Sequence, residues 1–81
     1  MHFDLVDLRL YLNCLQTGSI TAGAGLSHLS LAAASARIRA MEAAQGVAFL
    51  QRSRRGISPT PAGQALAQHA RLLLRQVERM N

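Results

Sequence analysis

The chain has 81 residues, of which 49% are apolar, and a formal net charge of +5. A chain this short makes one small domain with a thin core, so burial against a second copy would help it. The apolar content excludes a disordered tail, no apolar run approaches the roughly 20 residues that cross a bilayer, and the N-terminus lacks the basic-then-apolar pattern of a secretion signal; the reading is a cytoplasmic protein.

The first helix is expected to start at Asp4, a favoured N-cap, with Asp7 adding negative charge to the positive helix end. Phe3 and Leu8 have the spacing of a hydrophobic staple. Leu5, Leu8, Leu12 and Leu15 recur every three or four residues and mark one apolar stripe. Cys14 lies in this segment and reads as a small buried thiol; as the single cysteine it leaves neither an internal disulfide nor a multi-cysteine zinc site. Gly18 ends the helix.

Ser19 caps a short second helix with Ile20, Ala24 and Ser27 on its inner face. Gly23 and Gly25 each cost about 1 kcal/mol relative to alanine, so this helix depends on its neighbours. Its small residues would also admit another helix at close range. A turn at Ser27-His28-Leu29 leads to Ser30, the cap of a third helix expected from Leu31 to about Gln45 and stopped by Gly46. Ala34, Ile38, Met41 and Gln45 share its inner side, and Leu31 joins them by periodicity. Its outer side carries Ala33, Ala36 and Ala40, edged by Arg37 and Arg39. Such a strip of methyl groups fenced by arginines can lie close to another surface while the arginines reach outward.

Val47 to Leu50 form a short apolar run that can dock on the helices. Two short strands follow, joined by a basic turn at Arg54-Arg55-Gly56, and Pro59 ends the second. Thr60-Pro61 opens a last helix that runs to Glu78 or beyond, nearly 20 residues. Ala62, Leu66, Ala70, Leu73 and Val77 form its stripe, flanked by Leu72 and Leu74. That arc is wider than one small domain needs, and a partner helix is its expected cover.

All nine basic residues are arginine and only four acids occur, which suggests a polyanionic partner. No catalytic or metal constellation stands out. His2, His28 and His69 lack ligand spacing, Glu42 and Glu78 read as ion-pair partners, and the glycines match no phosphate loop. No enzyme activity, metal or cofactor is expected.

The order of helix, short helix, tight turn, helix, basic hairpin and long helix is that of a winged helix-turn-helix. Gly18-Ser19-Ile20-Thr21, His28-Leu29-Ser30, Ala33-Ala34-Ser35, Ile38-Arg39-Ala40-Met41-Glu42, Gly46-Val47, Phe49-Leu50, Arg52, Arg55-Gly56 and Thr60-Pro61-Ala62-Gly63 resemble, with their spacing kept, the N-terminal domain of LysR-type transcriptional regulators. The likeness runs from about Phe3 to the end. It implies a mainly α fold: a winged helix-turn-helix DNA-binding domain over 1–60, with three helices and a two-stranded wing, then a linker and dimerisation helix over 61–81. It implies a bacterial, homodimeric transcription factor at the nucleoid; a tetramer of the full-length protein stays open. A small-molecule inducer would act only through an effector-binding domain absent from this chain, which is read as a piece of a longer protein. Binding to a membrane is not expected, and the alternative is a helical protein-interaction module that never touches DNA.

On this reading the recognition helix, about 30–45, enters the major groove with its N-terminal half. Ser30 takes a phosphate, and Ala32, Ala33, Ser35 and Ala36 face base edges. Arg37 and Arg39 are the long reaches, Arg52, Arg54 and Arg55 hold backbone or minor groove through the wing at 52–56, and Thr21 touches phosphate. Leu31 stays two-sided: periodicity turns it inward, and the position in the family turns it toward DNA. Leu66, Ala70, Leu73 and Val77 are the expected dimer seam. The family commonly has Gln-Pro where this chain has Leu31-Ala32, and often Arg where it has Ala36, so those glutamine and arginine base contacts do not carry over.

Overall fold

The computed structural model describes residues 4–80. Its elements are α1 (Leu5–Thr17), α2 (Ile20–Leu26), α3 (Leu31–Gln45), β1 (Leu50–Ser53), β2 (Gly56–Pro59) and α4 (Pro61–Arg79). Each helix starts where a short polar side chain can satisfy one of the amides that a helix end leaves unpaired. Asp4, Ser19, Ser30 and Thr60 accept from the backbone N–H of Asp7, Ala22, Ala33 and Gly63. At α1 the bond is reciprocated, because Asp7 accepts from the Asp4 amide and completes a capping box. The expected staple residue Phe3 lies outside the described residues. Gly18 and Gly46 close α1 and α3 in the left-handed conformation, as expected.

The core gathers Leu8, Leu10, Tyr11 and Cys14 from α1, Ile20 and Ala24 from α2, Ala34, Ile38 and Met41 from α3, Phe49 and Leu50, and Leu66, Ala67 and Ala70 from α4. The expected stripe of α1 is corrected. Leu8 is buried, but Leu5, Leu12 and Leu15 are only partly covered, while Leu10 and Tyr11 are fully enclosed. The reason is that α1 packs against α2, α3 and α4, so it is covered on more than one side. Burying Tyr11 without a partner for its hydroxyl would cost free energy. The hydroxyl donates to the Phe49 carbonyl at 2.7 Å, and the two rings meet edge to face. Burial, with the Glu42 charge, pushes the Tyr11 phenol up to about 12.

The second helix approaches α1 closely at Gly23, where an added Cβ would run into the side chain and backbone of Cys14. That contact explains a helix-breaking residue in the helix interior. Ser27 is half-buried at the end of α2, and its Oγ accepts from Asn13 Nδ2 at 2.9 Å. In α3 the inner residues Ala34, Ile38 and Met41 are buried as the spacing predicts. Gln45 and Leu31, expected beside them, are exposed, because the core ends before the last turn and begins after the first.

Glu42 was expected in an ion pair; instead its carboxylate accepts from the backbone N–H of Phe49 at 2.8 Å and of Leu50 at 3.4 Å. It thereby receives the chain as it leaves α3 for the sheet. The strands pair antiparallel from Leu50↔Pro59 to Ser53↔Gly56 around a turn at Arg54-Arg55. Thr60 donates its hydroxyl to the Ala48 carbonyl at 2.6 Å while capping α4. The first half of α4 then enters the core. This corrects the expected dimer seam at two positions: Leu66 and Ala70 are covered by their own domain and cannot also face a twin. Beyond them Leu72 and Leu73 are exposed, and Leu74 and Val77 are half-buried.

Candidate nucleic-acid interface

One face of the domain is built by three elements that meet at the end of α1. The wing is anchored there, because Ile57 donates its amide to the Gly18 carbonyl at 3.0 Å. Gly56 passes directly over that carbonyl with φ of 118°, so a side chain at this position would meet both a strained backbone and an occupied space. Ser19 starts α2 at the same corner. Between the corner and α3 lies an open groove of about 400 Å³, lined in part by Thr21, Leu31, Ser35 and Arg52.

Helical geometry extends this face along α3. Leu31, Ser35 and Arg39 follow one another at one-turn spacing and form the flank nearest the wing. Ala32 and Ala36 are exposed on the outer side, and Arg39, Arg52, Arg54 and Arg55 are exposed. These four guanidinium groups have no ion-pair partner among the described residues. Ser30 uses its oxygen on the Ala33 amide at 3.1 Å, which leaves its O–H free to donate outward.

The opposite flank is different. Arg37 donates to Asp7 Oδ1 at 2.9 Å and stands 3.6 Å from Asp4 Oδ2. Its side chain is 37% exposed, against 14% for that of Asp7. The bond to Asp7, with the charges of Asp7 and Asp4, raises the Arg37 guanidinium above its ordinary range. The Asp7 amide, and then the Arg37 charge, hold the Asp4 carboxyl below its ordinary range. Arg37 therefore ties α3 to the start of α1.

The model of the bacterial regulatory helix-turn-helix proteins of the lysR family matches residues 5–64. The chain belongs to that family. Among its LysR-family relatives, the nitrogen assimilation regulatory protein nac of Klebsiella aerogenes is 35% identical over 75 residues, which is 93% of this chain and 25% of that protein. The regulator TfdS of Cupriavidus pinatubonensis is 36% identical over 68 residues, 84% of this chain and 23% of that protein. The chain thus spans about a quarter of the length of these relatives. Among solved structures, the CbnR DNA-binding domain in its complex with DNA superposes with a TM-score of 0.87 at 32% identity, covering 96% of this chain and 90% of that one. The BenM DNA-binding domain with catB site 1 DNA superposes at 0.88 and 28% identity, covering 96% and 84%. The LysR-type winged helix fold is therefore that of this chain.

Of the residues singled out in the sequence, the fold brings Thr21, Leu31, Ser35 and Arg52 to one groove, with Arg39 exposed one helical turn beyond Ser35. Arg54 and Arg55 stand at the wing tip. Ala33 is half-buried and shares its flank with Arg37, one turn on, away from the groove. Sequence reasoning missed Tyr11 and Asn13, which fix the helices beneath the face. Tyr11 lies three residues after Leu8, so the helical period carried that signal; nothing local marks Asn13 as the partner of Ser27. Among the described residues no group of three or more His, Cys, Asp or Glu could hold a metal, and no helix is long and apolar enough to cross a membrane.

Proposed function

We propose that this chain binds operator DNA as a homodimer, with α3 in the major groove and the wing on the flanking backbone, and so serves a transcription regulator at the nucleoid. One observation carries the reading: a continuous face joins the first turns of α3, the start of α2 and the wing, and its arginines have no acidic partner among the described residues. Relatives of this fold have been crystallised with DNA. Thr21, Ser30 and the wing arginines Arg52, Arg54 and Arg55 take phosphates, which set position without reading sequence. Arg39 reaches a base or a phosphate from the groove flank. Ala32, Ser35 and Ala36 lie against base edges, so readout rests on methyl contacts, water and DNA shape.

Dimerisation is proposed through the second half of α4. Leu72 is 53% exposed and Leu73 38%, and Leu12 and Leu15 of α1 are only partly covered. A second copy would bury these side chains and present two recognition helices to successive major grooves. An inducer would act through a further domain of the longer protein.

Binding to labelled duplex across a salt series tests the reading. Phosphate contacts give an affinity that falls steeply with salt, whereas a helical protein-interaction module using the Leu72–Leu74 segment gives no duplex binding. Changing Leu73 to Glu is expected to shift sedimentation toward monomer; an unchanged profile removes the seam.

A further inference from the structure

We infer that Leu31 is a specificity-determining residue that seats against the C5-methyl group of a thymine, so that each half-site carries a thymine under the first turn of α3. The inference rests on the duplex reading above. Leu31 is the first residue of α3 and is 50% exposed, in the groove between Thr21, Ser35 and Arg52. It does not join Ala34, Ile38 and Met41 in the core, and the neighbouring Leu29 is the leucine that packs there. A large apolar side chain is therefore held at the point where a recognition helix enters the groove most deeply.

The chemistry of the groove edge narrows what it can meet. Leu31 offers neither donor nor acceptor. Ala32 and Ala36 beside it are exposed and equally without polar groups. The major-groove edges of guanine, adenine and cytosine present polar atoms, and pressing a leucine on them strips water and returns no hydrogen bond. Thymine alone presents a methyl group there. Contact with it buries apolar surface on both sides and leaves the polar atoms wet.

The test starts from duplexes selected by this chain out of a random pool. Each thymine of the selected half-site is replaced in turn by uracil, which keeps the base pair and the O4 acceptor but lacks the methyl group. Binding is measured for the native chain and for Leu31→Ala, whose fold is checked by circular dichroism. One thymine in each half-site is expected to show about a fourfold loss of affinity with uracil for the native chain, the value of one buried methyl group. Leu31→Ala is expected to show no difference between the two bases at that position. The inference is overturned by a half-site without thymine, by indifference of the native chain to every replacement, or by an equal loss in Leu31→Ala. Failure to bind any duplex overturns the DNA reading itself and this inference with it.

Discussion

The two flanks of α3 carry the same kind of residue to opposite ends. Arg39 follows Leu31 and Ser35 on the flank nearest the wing and is exposed, with no acid of its own chain beside it among the described residues. Arg37, two residues earlier, falls on the other flank and is held by Asp7 and Asp4 at the start of α1. A helix turns about 100° per residue, so two positions along the chain are just over half a turn around the axis. One arginine is free to serve a partner; the other fastens the helix that presents it. Proximity in sequence and identity of charge do not imply a shared role.

The comparison breaks or sharpens under substitution. Ile38 lies between the flanks on the buried side, so Ile38→Ala is expected to cost about 2–4 kcal/mol of stability in a denaturant titration. A smaller loss would mean that α3 is held chiefly by its flanks. Arg39→Ala is expected to leave stability unchanged and weaken duplex binding by about 1–3 kcal/mol if it reads a base. The loss then falls on the selected sequence, whereas a uniform loss on all sequences marks a phosphate contact. Arg37→Ala is expected to do the reverse, lowering the melting temperature in low salt and less so in high salt, with affinity per folded molecule nearly kept. Equal effects of the two arginines on affinity would erase the distinction between the flanks.

The smallest effect is in the pH dependence. The Asp4 carboxyl is held below its ordinary value of 3.8, so its charge adds stability that is present above that value and lost as the pH falls through the lower, folded one. Asp4→Asn keeps a good cap and removes the charge. The native chain is expected to melt slightly higher than Asp4→Asn at neutral pH, with the gap closing in acid; a constant gap would assign the difference to the cap alone.

Much of the fold was legible because its signals are short-range. Asp4, Ser19, Ser30 and Thr60 cap helices through amides three residues ahead, and Gly18 and Gly46 stop them through their own backbone. The basic turn and the alanine face of α3 could likewise be read from neighbouring residues. Less of the interface was legible. Periodicity put Leu31 beside Ile38, yet it stands in the groove, since the helical period says which residues share a side and not where the core stops.

The sequence by itself determined the order and ends of the helices, the wing and the basic excess, because each follows from groups within a few residues or from composition. The tertiary structure decided which arginine stays free, which leucines of α4 remain uncovered, and that Tyr11 and Glu42 serve the backbone near Phe49. Those outcomes depend on partners distant along the chain, 38 residues apart for Tyr11 and Phe49, brought within reach only when α1, α3 and α4 close on one core.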